Sequence, residues 1–124
     1  MPLNIKISTL NTHIHVDYFG EYDFKPADDV IDEIVELCKS KKYTKVIFDF
    51  RKIKGEISTF DRYRFATHLA STNPANISFV GIATKHQTLP VKIGEIFSAY
   101  LGVNLIITED ASDAFRLLDI KKEK

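Results

Sequence analysis

The sequence has a single cysteine, no net charge and no long apolar run, and each absence excludes something. Cys38 is the only thiol, so no internal disulfide can hold the fold, and a lone cysteine fits a reducing compartment. It falls at an apolar position of a predicted helix and reads as a small buried hydrophobe rather than a reactive thiol. Seventeen basic residues balance 17 acidic ones, whereas a dedicated nucleic-acid binder carries a basic excess. No stretch approaches the roughly 18 apolar residues that span a bilayer, so no integral membrane segment is expected. The start, MPLNIKISTLNTHIHV, lacks a basic segment followed by an apolar run, so no signal peptide is expected and the cytoplasm is the expected location. There is no repeat, no linker and no glycine loop to cradle a phosphate. No acid, base and nucleophile set can be assembled, so enzymatic activity is not expected.

What is present is the composition of one globular domain: 124 residues, 44% hydrophobic and 27% charged. We expect that domain over residues 1–120 and a polar tail over 121–124. Leu3–Ser8 alternates as a strand. In HIHVDYF, Ile14, Val16 and Tyr18 face one way while His13, His15 and Asp17 face the other, which suits a hairpin strand with one wetter face. Gly20–Asp23 breaks that strand. Helix one is predicted from Pro26 to Ser40, with Val30, Ile31, Ile34, Val35, Leu37 and Cys38 as its apolar stripe. KVIFDF, ending in Asp49 and Phe50, reads as a buried strand. Helix two is predicted from Ser58 to Ser71, stopped by Asn73-Pro74. Ile77–Ala83 is another buried strand. Helix three follows Pro90, with Ile93, Ile96, Phe97, Tyr100 and Leu101 at helical spacing and Gly102 as its C-terminal cap. Val103–Ile107 and a last helix over Glu109–Leu118 complete the order β-β-α-β-α-β-α-β-α, an α/β fold with a mixed, mostly parallel sheet. The carboxyl ends of the parallel strands form the edge where such sheets tend to bind ligands and partners.

This order, at this length, resembles the STAS domain (sulphate transporter and anti-sigma-factor antagonist; the SpoIIAA-like fold). Two stretches carry the resemblance besides the topology. Gly20-Glu-Tyr-Asp23 is similar to the Gly-Glu-Leu-Asp that antagonists of the family often carry after their second strand. KVIFDF followed by Ile57-Ser-Thr-Phe60 is similar to the strand ending in Asp or Asn and the Asp-Ser-Ser-Gly that opens the next helix. The family's phosphorylated serine then corresponds to Ser58. Ile57 and Phe60 stand where the family has an acid and a glycine, so the motif is degenerate. Arg51 and Arg62, with Gly55 between them, resemble an uncharacterised STAS-like branch also likened to lipid-binding Sec14-type domains. The resemblance implies a non-enzymatic, bacterial-type regulatory domain with a protein partner, an anti-sigma-like kinase or another regulator. Its alternative implication is a binder of a small apolar or lipid-like ligand. Ser58, Thr59, Asp23, Asp49, Arg51 and Arg62 are the candidate phosphorylation or partner-contact residues.

Each candidate also has a structural job. Ser58-Thr-Phe-Asp61 is a capping-box pattern, and a serine N-cap contributes about 1 kcal/mol. The same geometry favours a phosphate, because helix N–H groups and the positive dipole end converge there. Asp23 and Asp49 could pair as carboxylates or hold magnesium, but no third ligand accompanies them, and turn-forming and loop-capping roles account for both. His13 and His15 share a strand face without further residues at ligand spacing, so no metal and no cofactor is expected. The segment from Lys39 to Arg64 carries nine bases against Asp49, Glu56 and Asp61, and an acidic helix one faces it in sequence. Charge asymmetry of this kind orients a charged partner, or simply marks two solvated faces. Phe60, Tyr63, Phe65 and Leu69 with Phe97 and Tyr100 exceed one narrow stripe. Some are therefore expected at a partner or dimer surface, or around an apolar ligand.

Overall fold

The structure, a computed structural model, describes residues 2–10, 12–72, 76–84 and 95–118. β1 (Asn4–Thr9) and β2 (Ile14–Glu21) form the expected antiparallel hairpin, with Ile7 opposite Val16. α1 (Phe24–Lys41), β3 (Lys45–Lys54), α2 (Thr59–Ser71) and β4 (Ser78–Ile82) follow. Residues 95–100 are helical (α3), and β5 (Asn104–Thr108) and α4 (Ala111–Leu117) end the chain of elements. One sheet runs β1-β2-β3-β4-β5, antiparallel across its first pair and parallel across the other three. The predicted element order and the mixed, mostly parallel sheet are therefore observed. The Asn73-Pro74 stop, the Pro90 helix start, Ile93, His86 and the 121–124 tail lie outside the described residues.

Two cores cover the two sheet faces. On one, Ile31, Ile34, Val35 and Cys38 of α1 and Leu69 of α2 meet Val16, Tyr18, Phe48, Phe79 and Leu105 of the strands. The helical residues recur at the three- and four-residue spacing of one face. Phe48 stacks on Phe50 and Phe79, with ring centroids 5.8 and 5.6 Å away, and Phe65 of α2 meets it edge-on. Each such pair contributes about 0.5–1.5 kcal/mol beyond its burial. Cys38 lies in this core, and burial pushes its thiol up to about 11. The other face is smaller: Ile47, Val80 and Ile82 pack on Ala114 and Leu118 at α4.

Several boundaries move for physical reasons. α1 begins at Phe24, two residues before Pro26. Its first bond is donated by the Ala27 N–H to the Asp23 carbonyl, so Pro26 precedes the first N–H that the helix needs. Asp28, Asp29, Asp32 and Glu33 consequently fall beyond the first turn, where the dipole argument no longer covers them. β3 continues past KVIFDF to Lys54, because β2 pairs with it as far as Glu21 opposite Lys54. Between Asp17 opposite Asp49 and Phe19 opposite Lys52, β3 carries one extra residue. This bulge returns Ile53 to the face of Phe50 and into the larger core. Gly102 caps α3 as expected: at φ 83° it lets the Val103 N–H donate to the Ser98 carbonyl and its own N–H to that of Ala99.

Two residues fix how the larger core closes. Gly20 has φ 109°, and a Cβ there would lie 2.3 Å from the Pro2 carbonyl oxygen. We predict that Gly20→Ala lowers stability by about 2–3 kcal/mol in urea denaturation, combining backbone strain with a clash; a change under about 0.5 kcal/mol would refute the close approach. His68 of α2 places Nδ1 2.8 Å from Asp28 and Nε2 2.9 Å from Asp32, both on α1. Only the imidazolium can donate from both nitrogens. Burial alone lowers the His68 pKa, but the bonds to Asp28 and Asp32 outweigh it and raise it. A raised folded-state value means that the stabilisation is complete below the ordinary value of about 6.5 and is lost as pH rises through the higher one. The stability difference between wild type and His68→Ala should therefore be larger at about pH 6 than at about pH 9. A pH-independent difference would show that His68 does not titrate against α1.

Candidate functional site

The site forms where the N-termini of α1 and α2 meet the ends of β2 and β3. Ser58 is the N-cap of α2, with extended backbone at φ −68° and ψ 156°. Its exposed Oγ accepts from the Asp61 N–H at 3.0 Å, the capping half of the box read in the sequence. Asp61 also receives the Tyr22 hydroxyl at 2.8 Å and the Arg64 guanidinium. Burial would raise the Asp61 carboxyl, but those partners hold it below the usual carboxylate range. Burial and the bond to Asp61 in turn raise the Tyr22 phenol. Arg64 lies 3.6 Å over the Phe24 ring and 4.9 Å from that of Phe60, a double cation–π contact. The Tyr22 N–H donates to the Lys54 carbonyl at 2.8 Å. The 20–25 loop is thus bonded both to the end of β3 and to the first turn of α2.

The candidates separate into two groups. Asp23 is the exposed N-cap of α1, and its side chain makes no capping bond. Ser58 and Thr59 are exposed beside each other, and Arg62 is half-buried in the same turn of α2. These four share the site. Asp49 and Arg51 do not. Asp49 lies within β3 rather than at its end and is 6% exposed. Two residues on, and so on the same strand face, Arg51 donates to it from Nε at 3.0 Å, from NH2 at 2.7 Å and from its backbone N–H at 3.1 Å. That face is the one covered further along by α4. Burial would raise the Asp49 carboxyl, but the bonds from Arg51 win and lower it. Arg51 therefore contributes nothing to the charge around Ser58.

The same second face brings His15, Asp17 and Asp49 together, with one ligand atom from each within 4.8 Å of the others. His15 Nε2 is 3.4 Å from Asp17 Oδ1. A cation entering here would compete with Arg51, which already engages both oxygens of Asp49. Asp49 therefore neither caps a loop nor pairs with Asp23. His13 is buried and meets Phe115 of α4 edge-on.

The aromatic residues of α2 divide. Phe65 turns into the core stack. Phe60 is 65% exposed, and Tyr63 meets Phe97 of α3 edge-on at the surface. Tyr100 is 90% exposed. Beneath the site lies a cavity of about 60 Å³, walled largely by Tyr18, Phe50, Ile53, Phe65 and Leu105, with Arg62 and Asp61 as its charged members. Sequence reasoning missed Tyr22, Phe24 and Arg64. Tyr22 stands at the leucine position of the Gly-Glu-Leu-Asp pattern, and that phenol was the available signal.

With this geometry in place, the chain can be set beside known proteins. An anti-sigma factor antagonist from Mycobacterium paratuberculosis superposes with a TM-score of 0.65 at 15% identity over 95% of each chain. The anti-sigma factor antagonist SpoIIAA in its unphosphorylated form gives a TM-score of 0.54 at 14% identity, over 96% of this chain and 100% of its own. The chain therefore has the SpoIIAA-like, STAS-type fold that its sequence resembles. No protein-family model and no curated protein sequence matches it. Among the described residues no helix is long and apolar enough to cross a membrane.

The cap makes a local test available. We predict that Ser58→Ala costs about 1 kcal/mol of stability, while Ser58→Asp, an equally good N-cap, stays within about 0.5 kcal/mol of wild type. Equal destabilisation by both in urea melts would show that the hydroxyl does not cap α2.

Proposed function

We propose that this chain is a non-enzymatic regulatory domain that binds a protein partner. Its contact surface comprises the 20–25 loop, the 52–58 segment and the first turn of α2. The supporting observation is the exposed Ser58 hydroxyl at the head of a helix whose first turn is bonded to the 20–25 loop through Tyr22 and Asp61. Rigid elements thus present Asp23, Ser58 and Thr59 on one surface, and Arg62 lies behind them. Both solved neighbours are anti-sigma factor antagonists, proteins whose target is another protein, and one is described in its unphosphorylated form. An anti-sigma-like kinase or another cytoplasmic regulator is the matching partner class here. A phosphate on Ser58 would add about −1.5 to −2 charges beside the helix N–H groups. Arg62, whose backbone N–H donates to the Ser58 carbonyl, remains on the same turn. Arg51, committed to Asp49 on the other face, does not.

The test is affinity capture from the native host with wild-type protein, Ser58→Asp and Asp23→Lys. Both substitutions preserve folding, the first as a competent cap and the second because the Asp23 side chain makes no capping bond. The expected outcome is a specific partner whose recovery falls about tenfold or more with each variant, equivalent to about 1.4 kcal/mol. Equal recovery by all three proteins would place the partner surface elsewhere. Recovery of a second copy of the chain would identify a homodimer instead of a regulator.

A further inference from the structure

We propose that His15, Asp17 and Asp49 form a binding site for one divalent transition-metal ion of the zinc class, with His15 Nε2 and one oxygen of each carboxylate as ligands. The sheet register builds the site. Asp17 of β2 stands opposite Asp49 of β3, and His15 precedes Asp17 by two residues on the same strand face. One ligand atom from each of the three lies within 4.8 Å of the others. His15 Nε2 is 3.4 Å from Asp17 Oδ1. That is too long for a good hydrogen bond. It matches the separation of two ligands on one tetrahedral metal, roughly 3.3–3.6 Å for bonds of about 2.0–2.2 Å. Neither His15 nor Asp17 makes a side-chain hydrogen bond among the described residues. Asp17, at 34% side-chain exposure, has the freedom to close the remaining distance to Asp49.

Arg51 opposes the charge of an entering cation without using up the coordination. A carboxylate offers about four lone-pair positions. On Asp49, Oδ1 accepts from the Arg51 Nε and backbone N–H, whereas Oδ2 accepts from NH2 alone. Oδ2 thus keeps an acceptor position, and carboxylates that ligate metals are commonly held by a hydrogen-bond donor behind them. Asp17 and Asp110 act on the Arg51 charge together with Asp49. Against those three carboxylates stand Arg51 and, opposite Asp17 on β1, the exposed Lys6. The cluster therefore keeps a net negative charge, in a half-buried place where salt screens it weakly. One imidazole and two carboxylates suit zinc and its neighbours. Magnesium and calcium take shells of oxygen, and magnesium holds on to its water. Three protein ligands leave a fourth position for water or for a donor from another molecule. The site lies on the α4 face and does not depend on the surface that carries Ser58.

The test titrates the tag-free full-length chain with Zn²⁺ and separately with Mg²⁺, followed by calorimetry and by NMR of the histidine rings. The expected result is one-to-one Zn²⁺ binding with a Kd below about 100 μM, with Mg²⁺ weaker by about tenfold or more. The largest ring shift should fall on His15 Nε2. His15→Gln and Asp17→Asn, both at half-buried positions of β2, should each weaken Zn²⁺ by about tenfold or more. Arg51→Gln should tighten it by about threefold or more, because the opposing charge is gone. His68→Gln is the control: His68 with Asp28 and Asp32 is the other cluster of histidine and carboxylates, and its loss should leave the affinity unchanged. The proposal is overturned if Zn²⁺ shows no saturable binding below about 100 μM, or if His15→Gln binds as tightly as wild type. Ring shifts at His68 in place of His15, or equal affinity for Mg²⁺, would overturn it as well. Unchanged or weaker binding by Arg51→Gln would remove Asp49 from the ligand set and overturn the site as stated. None of these outcomes depends on whether a protein partner is captured through Ser58.

Discussion

A mostly parallel sheet must be covered on both faces, and among the described residues the cover on one face is short. α1 and α2 lay long apolar stripes over one side, from Ile31 to Leu69. The other side has α4, seven residues that reach Ile47, Val80 and Ile82. Where that cover ends, the strands turn polar: His15, Asp17 and Asp49 occupy the positions next along β2 and β3. Asp49, nearly buried, is tolerable there because Arg51 sits two residues away on the same strand face and supplies a paired bond and a counter-charge. The Asp49–Arg51 pair thus satisfies the polar stretch beyond α4, and it withdraws Arg51 from the Ser58 region.

The bulge in β3 has the opposite effect on the first face. By inserting one residue it restores Ile53 to the side of Phe50, beyond the reach of the α1 stripe. The aromatic rows of β2 and β3 therefore extend past the point where helix side chains fill the space between layers. Tyr18 and Phe65 border the gap, and Arg62 closes it from α2. Above the gap, the Tyr22–Asp61–Arg64–Phe24 network spans the α1 and α2 termini. It combines a part-buried bond from a phenol to a carboxylate, an exposed ion pair and a cation–π contact, and the charge on Asp61 strengthens the first of these.

Much of this was legible in the residues. Period-2 and helical spacings specified the element order, and Ser58-Thr-Phe-Asp61 specified a cap that the structure shows as a 3.0 Å bond. Local patterns could not show that RKIK continues β3, because its exposed lysines resemble a loop and the pairing that holds it comes from β2, more than 30 residues earlier. Nothing in the residues flanking His68 shows its task. Its partners Asp28 and Asp32 are 40 and 36 residues away, and only the packing of α2 on α1 brings them together. The cavity has no sequence signature, since it is a mismatch between layers. Of the aromatic side chains of helices two and three, Tyr63 and Phe97 pair at the surface, while Phe65 alone of that set borders the gap.

The two arginines first read as one basic cluster show how burial assigns roles. Arg51 is the more exposed, yet its charge is answered by a carboxylate on the same strand. Arg62 is the more buried: its enclosed Nε meets no hydrogen-bond partner, and Glu56 offsets part of its charge. Desolvating a charge is costly unless something offsets it, and burial lowers the Arg62 pKa where the bonds to Asp49 raise that of Arg51. Arg62 borders the same gap as Tyr22 and Asp61, which also support the surface presented by Ser58. Four side chains linked in series, Tyr22 to Asp61 to Arg64 to Phe24, tie two helix termini and one loop together, so shifting one member disturbs the contacts of its neighbours in turn.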